Sequence, residues 1–133
     1  MTTRQKVLLL FSVGLALVLA VAFVGKGRAQ APQVTLLWTV PQGAQNYEMH
    51  YSRNAVGADT LAWWNGANVV PLMPAPGSVG GTDSVTVLLG SWAQRYYFVV
   101  RACNQAGCAG WSNVATFTTP AAPPNRILDL RAR

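Results

Sequence analysis

The chain has 133 residues, enough for one domain, and carries ten basic residues against four acidic ones, a formal net charge of +6. Four of the basic residues precede residue 30, so residues 30–133 keep a net charge of only +2. The positive charge therefore belongs largely to the N-terminal segment, and we expect no nucleic-acid partner.

Residues 1–29 have the composition of an export segment. Two basic residues precede an uncharged apolar run over residues 7–24, a combination typical of a secretory signal peptide. Small residues before Gln30 predict cleavage after Ala29. In this interpretation the mature protein begins at Gln30 and is secreted.

Two features favour a retained membrane anchor instead. The apolar run has 18 residues, within the roughly 17–25 that span a bilayer and above the about 7–15 of most signal peptides. Lys26 and Arg28 would then reach lipid head groups at the outer interface. Both alternatives predict an apolar helix over residues 7–24 and a domain that lies outside the cytoplasm.

The rest of the chain consists of short predicted strands separated by turns. Alternation of apolar residues with period two predicts strands over residues 34–39, 47–51 and 83–89. Residues 60–64 are predicted to form a short edge strand. Residues 65–82 hold four glycines and three prolines, too irregular for a central strand.

Residues 96–118 carry the strongest structural signal. Two alternating runs flank the turn NQAG, which predicts a β-hairpin with one buried face. Cys103 and Cys108 flank the turn, and two cysteines in an exported chain are most simply a disulfide. A tetrahedral metal site needs about four protein ligands. The two cysteines would have only His50, the single histidine, beside them, which is too few.

The order and spacing of five segments resemble those of a fibronectin type III domain. The matching segments are VTLLW (34–38), YEMHY (47–51), SVTVLL (84–89), YYFVVRACNQAGC (96–108) and WSNVATFTT (111–119). The resemblance covers about residues 33–119 and implies an all-β, immunoglobulin-like antiparallel β-sandwich. We therefore divide the chain into an export or anchor segment at 1–29, a fibronectin type III-like domain at 30–119 and a tail containing proline and arginine at 120–133.

The resemblance implies roles for four core residues. Trp38 would be the core tryptophan of strand B. Tyr96 would be the tyrosine at the corner entering strand F, with its hydroxyl bonded to backbone. Tyr47 and Phe98 would complete the structural core.

One further feature of the chain agrees with the family, and two depart from it. The paired cysteines around the last hairpin are similar to those of many bacterial and phage members. Strand A is expected to be missing or reduced to residues 31–33, and the segment between Tyr51 and Asp83 is longer than the usual passage from strand C to strand E. The reduced strand A and the long segment after Tyr51 affect only the edge of the first sheet. The predicted fold is therefore unchanged.

No combination of residues predicts catalysis. Glu48 and His50 share the outward face of one strand, but no nucleophile or second carboxylate accompanies them, so we interpret them as a solvated pair. The sequence has no glycine-rich phosphate loop, zinc-ligand spacing or nucleophile elbow. We predict a non-enzyme with no cofactor and no metal.

Trp63 and Trp64 are the candidate ligand-binding residues. On a strand, adjacent side chains point to opposite faces, so at most one of the two packs inward. An exposed indole beside Asn65 and Asn68 could stack on a sugar ring or anchor a protein partner. Alternatively, the second indole only covers the open edge of the sandwich.

Trp111 has two alternative positions. If Cys103 and Cys108 lie directly opposite each other, Val100 faces Trp111 on the core side. A bulge in the strand would instead stack Trp111 on Arg101.

The predicted function is that of a non-catalytic, extracytoplasmic binding, adhesion or spacer module whose partner is a protein or a surface glycan. One alternative is a carbohydrate-binding module that uses Trp63 or Trp64. Another is a structural component of an envelope or virion assembly.

The tail over residues 120–133 resembles the lead-in and first strand of another fibronectin type III domain. Leu128 and Leu130 fall on one face of this predicted strand, with Ile127 and Asp129 on the other. One hypothesis is weak self-association, in which the tail can supply the missing edge strand of a neighbouring copy. The alternative is a disordered, arginine-tipped tail or a remnant of a longer ancestor.

Overall fold

The structure, a computed structural model, describes residues 17–23 and 31–133, with side-chain burial for residues 31–133. Its elements are β1 (Leu17–Phe23), β2 (Gln33–Thr39), β3 (Asn46–Ser52), α1 (Thr60–Gly66), β4 (Asn68–Val69), β5 (Thr82–Leu88), β6 (Arg95–Asn104), β7 (Gly107–Cys108) and β8 (Ala115–Thr118). The predicted strands over residues 34–39, 47–51 and 83–89 are confirmed as β2, β3 and β5, and the predicted hairpin as β6 followed by β7 and β8.

The strands form two antiparallel sheets. One has the order β1-β2-β5, and the other has the order β4-β3-β6, with β7 and β8 both pairing with the far edge of β6. The core cluster draws side chains from β2 and β5 on one side and from β3 and β6 on the other. The two sheets are therefore the layers of a β-sandwich.

The alternating sequence determines which side chains enter the core. Val34, Leu36 and Trp38 of β2 are completely buried, while the residues between them are half-buried. On β6, Phe98 and Val100 face the core, yet Val99 between them is also completely buried. Because Val99 points to the opposite face, a further element must cover the outer surface of that sheet.

The predicted apolar helix over residues 7–24 is not supported, because residues 17–23 form strand β1. This strand pairs antiparallel with β2, from Phe23 opposite Gln33 to Leu17 opposite Trp38. An uncharged apolar run suits a buried strand as well as a helix, and its periodicity does not separate the two. The remainder of the predicted segment lies outside the described residues.

Strand β1 also fills the position where the sequence predicted a strand A that was missing or reduced to residues 31–33. The first sheet therefore has an edge strand drawn from further upstream. Over the described ranges, no helix is long and apolar enough to cross a membrane.

Residues 60–64, predicted as an edge strand, belong instead to α1. The Asp59 side chain accepts a hydrogen bond from the Ala62 backbone N–H at 3.0 Å, and so caps the first turn. A helix of seven residues does not persist alone. Packing against the sheet must therefore stabilise it, and Trp64 is its buried residue.

The two tyrosines of the predicted core are both buried, but their hydroxyls differ in their contacts. Tyr96 is buried, but its hydroxyl makes no hydrogen bond to a described residue, and its ring lines an open cleft. The hydroxyl of Tyr47 instead donates to Asp83 Oδ2 at 2.7 Å. This bond joins β3 to β5 and so ties the two sheets together.

Candidate binding surface

Helix α1 lies on the outer face of the β3–β6 sheet. His50 is the cross-strand partner of Val99, so both side chains share that face. The His50 ring stacks on the Trp64 indole with 3.5 Å between centroids and 11° between planes. His50 Nδ1 lies 2.8 Å from the Trp64 carbonyl oxygen, which only accepts, so Nδ1 carries the hydrogen. These contacts explain why Val99 is buried.

Arg101 completes the attachment of the helix. Its guanidinium carbon lies 4.9 Å from the ring centroid of Trp64 and 4.9 Å from that of Trp111. The two indoles are themselves in contact, with 4.7 Å between centroids. A cation held over two aromatic rings is stabilised by both ring quadrupoles. Trp64, Arg101 and Trp111, together with His50 and Glu48, are called the aromatic–arginine cluster below.

The carboxylate of Glu48 neutralises the arginine of this cluster. Arg101 Nε donates to Glu48 Oε1 at 2.9 Å, and Arg101 Nη2 lies 2.8 Å from the same oxygen in a salt bridge. The two residues are cross-strand partners on β3 and β6, and the pair is partly exposed. The sequence predicted that Glu48 and His50 share one face of a strand. In the structure Glu48 binds Arg101 and His50 binds the Trp64 carbonyl, so the two residues do not form an acid–base pair.

A β-bulge after the disulfide brings Trp111 to this face. Cys103 and Cys108 are directly opposite each other. Continuing that register would place Trp111 opposite Val100, but the backbone N–H that donates to the Val100 carbonyl is that of Ser112, at 3.0 Å. One extra residue rotates the indole from the core face to the outer face. Of the two predicted positions for Trp111, the stack on Arg101 is therefore confirmed.

The two candidate ligand-binding tryptophans have different surroundings. Trp64 is only 5% exposed and belongs to the aromatic–arginine cluster. Trp63 is half-buried, and its indole N–H donates to the Asn54 carbonyl at 2.8 Å, which holds the ring in place. Because the segment is a helix, the two indoles do not point to opposite faces as they would on a strand.

Exposed apolar side chains surround the attached helix. Leu61 on α1 is 55% exposed, and Val69, which pairs with His50 beside the cluster, is 63% exposed. The exposed surface of α1 and the adjoining β4, which carries Leu61, Trp63 and Val69 on different sides of the helix, is called the α1 face. Leu72, a few residues further on, is 94% exposed and has a φ of 58°, a left-handed conformation that costs roughly 1–2 kcal/mol in a leucine. The sequence missed this surface because it depends on α1 being a helix.

The disulfide predicted between Cys103 and Cys108 is formed. It borders a groove of about 470 Å³ whose other walls include residues 41–44 and Asn104. One Glu48 oxygen and the two sulfurs lie within 4.8 Å of one another. Both sulfurs are bonded to each other, so this trio offers no thiolate to a metal ion. In this groove, Asn104 Nδ2 donates to the Gly43 carbonyl, and Asn104 Oδ1 accepts from the Ala106 backbone N–H.

The two-layer antiparallel architecture defines an immunoglobulin-like β-sandwich. Among solved structures, the solution structure of a fibronectin type III domain derived from human KIAA0970 protein is similar, with a TM-score of 0.51 and 18% sequence identity. The match covers 90% of this chain and 85% of that one. A structure described as FN3tt mut is 18% identical with a TM-score of 0.43, and the match covers 80% of this chain and 96% of that one.

The chain therefore has a fibronectin type III-like fold, as its sequence segments predicted. No family model and no curated protein matches the sequence. At 18% identity the structural likeness establishes the fold alone.

Proposed function

We propose that the chain is a non-catalytic binding or spacer module that works outside the cytoplasm and contacts a protein partner through the α1 face. The observation that carries this proposal is the attachment of α1 by the aromatic–arginine cluster. Stacked rings and a charged pair hold this seven-residue helix on the outer face of the β3–β6 sheet. The helix does not contribute to the hydrophobic core, which lies on the other face of that sheet.

The consequence of this attachment is a preorganised apolar surface. Leu61 and Val69 are more than half exposed, and the Trp63 ring is fixed by its bond to Asn54. Tryptophan is enriched among the residues that dominate binding energy, and rigid side chains lose little entropy when they are covered. A protein partner with an apolar contact fits this surface better than a charged ligand does.

The disulfide and the N-terminal sequence support an extracytoplasmic location. Disulfides persist in oxidising compartments and are rare in the cytosol. The pattern of residues 1–29 is that of an export signal or an anchor. Because both indications agree, the module is proposed to face the periplasm or the exterior of the cell that makes it.

Site-specific photo-cross-linking tests the α1 face in the producing cells. A photoreactive amino acid replaces Leu61 in one variant and Leu88, an equally apolar and similarly exposed residue on the opposite sheet, in the control. We expect discrete protein adducts from position 61 and none from position 88. Adducts from neither position, or the same adducts from both, would show that the α1 face is not the contact surface.

A second candidate function is carbohydrate binding through Trp63. It is favoured by one observation, the half-exposed indole that its hydrogen bond to Asn54 holds in a fixed orientation. Trp64 is buried and would only position that ring. On a glycan array, a sugar signal that Trp63→Ala removes and Leu61→Ala retains would establish this function in place of protein binding.

A further inference from the structure

We propose that the outer edge of β2 is an acceptor for the C-terminal tail of a second copy of this chain, and that β1 blocks this edge until residues 1–29 are removed or inserted into a membrane. The proposal rests on the export part of the proposed function. It assigns a partner, a second copy of the same chain, and a regulatory step, the departure of β1.

Strand β1 and the export segment use the same residues. Strand β1 lies entirely within the apolar run over residues 7–24. A backbone segment that is cleaved off or embedded in lipid cannot also pair with β2. Export therefore leaves β2 as the edge of its sheet.

Loss of β1 would expose the backbone of β2. Strand β1 covers β2 from Gln33 to Trp38, which leaves only the last residue of β2, Thr39, unpaired with β1. Without β1, the outward N–H and C=O groups of β2 lose their partners, next to the wholly buried side chains of Val34, Leu36 and Trp38. An unpaired edge beside an apolar core is a template for another strand.

The C-terminal tail, residues 120–133, is the proposed occupant of this edge. After Thr118 the chain has no further helix or strand, and Ile127, Leu128 and Leu130 are 76%, 80% and 89% exposed. As a strand, the segment would place Leu128 and Leu130 on one face, and Asp129 with Ile127 on the other. Because a carboxylate does not enter an apolar core unpaired, the leucine face would be the inward one.

The direction of the tail places its acceptor in another copy. The Ala93 N–H donates to the Pro120 carbonyl, and the Leu89 N–H donates to the Pro32 carbonyl, both at 2.8 Å. The tail therefore leaves the sandwich at the end where β2 begins. Folded back onto its own β2, it would run parallel to that strand, whereas β1 is antiparallel.

Reaching its own β2 in the antiparallel direction would exceed the length available. Residues 120–126 span at most roughly 23–25 Å, which only matches the roughly 23 Å length of β2. The tail would also have to cross the roughly 10 Å between the two sheets and reverse its direction. A tail that continues straight into a copy stacked at this end enters at the Trp38 end of that copy and runs antiparallel, as β1 does. Repeating this contact makes an open, head-to-tail assembly, which agrees with the alternative function as a structural component.

The experiment uses the full chain with a specific protease site inserted between Ala29 and Gln30. The folded protein is cut, and its mass is followed by size-exclusion chromatography with light scattering before and after cutting. We expect a single chain before cutting and a mass that rises to two or more chains with concentration afterwards. A cut protein that stays monomeric at high concentration would overturn the proposal.

Tail variants separate strand donation from other association. The double variant Leu128→Asp/Leu130→Asp should stay monomeric after cutting, whereas the matched control Ile127→Asp, on the outward face, should still assemble. All of these positions are exposed and lie outside the core, so the variants fold. If the double variant assembles like the parent, the tail is not the donor. Cell fractionation tests export separately, so a failure of export and a failure of assembly are distinguishable.

Discussion

The guanidinium carbon of Arg101 lies 4.9 Å from the ring centroid of Trp111, although the disulfide register alone would turn Trp111 into the core. The bulge that brings the two together lies between the disulfide and β8. Through this contact, the last hairpin of the sandwich helps to hold helix α1. The fold and the proposed binding surface are therefore linked through one arginine.

Arg101→Ala should lower the free energy of unfolding by about 1–3 kcal/mol. The substitution removes two cation–π contacts of roughly 0.5–1 kcal/mol each and a partly exposed ion pair of about 0.2–1 kcal/mol. Urea denaturation measures the change. Arg53→Ala, at an exposed position, is the matched control and should change the free energy by less than about 0.5 kcal/mol. An equal effect of both substitutions would contradict the role of the cluster.

The stability of the domain should fall above about pH 10. Burial of the phenol and its hydrogen bond to Asp83 raise the pKa of Tyr47 well above its usual value. The unfolded chain loses this proton near pH 10 while the folded chain keeps it. The free energy of unfolding is therefore fully retained below that pH and then decreases by at most about 1.4 kcal/mol per pH unit.

The Tyr47→Phe variant identifies the source of this alkaline dependence. Urea denaturation between pH 9 and roughly pH 11.5 should show a weaker slope for Tyr47→Phe than for the parent. Tyr97→Phe, at a half-buried position on β6, serves as the control and should keep the slope of the parent. A slope unchanged in Tyr47→Phe would show that another group causes the dependence.

The sandwich was predictable because its strands have one buried face. Val34, Leu36 and Trp38 alternate with less apolar residues, and the burial of β2 follows that alternation residue by residue. Strand β1 was not predictable, since seven consecutive apolar residues carry no period. Residues 17–23 form a strand because their backbone pairs with that of β2. This partner lies elsewhere in the sequence, so the local pattern does not reveal it.

The candidate site was harder to predict because it depends on contacts between distant segments. Helix α1 has one buried residue, Trp64, and therefore no apolar period to reveal it. The available signal for a helix was Asp59, a residue type favoured at helix N-caps, which lies four residues before Trp63. Predicting the Glu48–Arg101 pair would have required the register between β3 and β6. Predicting the stack of Trp111 on Arg101 would have required the position of a one-residue bulge.

Intact-mass measurement should find the protein two hydrogen atoms lighter than its reduced form, without a free thiol, because Cys103 and Cys108 are bonded. Cys103→Ser should destabilise the domain by roughly 2–3 kcal/mol without unfolding it, since the closed loop is short and the core is intact. Quantitative labelling of both cysteines by a thiol reagent under native, non-reducing conditions would contradict the bond.

The two adjacent tryptophans should respond differently to substitution. Trp64→Ala should cost roughly 3–5 kcal/mol, because it removes a buried ring from between His50 and Trp111. Trp63→Ala should cost much less, since that ring is half-exposed and makes one backbone hydrogen bond. Thermal unfolding of both variants measures the difference. Equal losses of stability would show that both indoles support the fold and that neither is free to contact a partner.

The N-terminal segment should have one of two states in the producing cells. Fractionation followed by N-terminal sequencing should find either a mature protein that begins at Gln30 or the full-length chain in the membrane fraction. In each state the apolar residues 17–23 have left β2, which exposes the edge that the tail of a second copy is proposed to occupy. Soluble full-length protein in the cytoplasm would contradict both states, and β1 would then be a permanent part of the sandwich. A variant with Leu19→Arg and Val21→Arg provides the control, because two charges in the apolar run should block export.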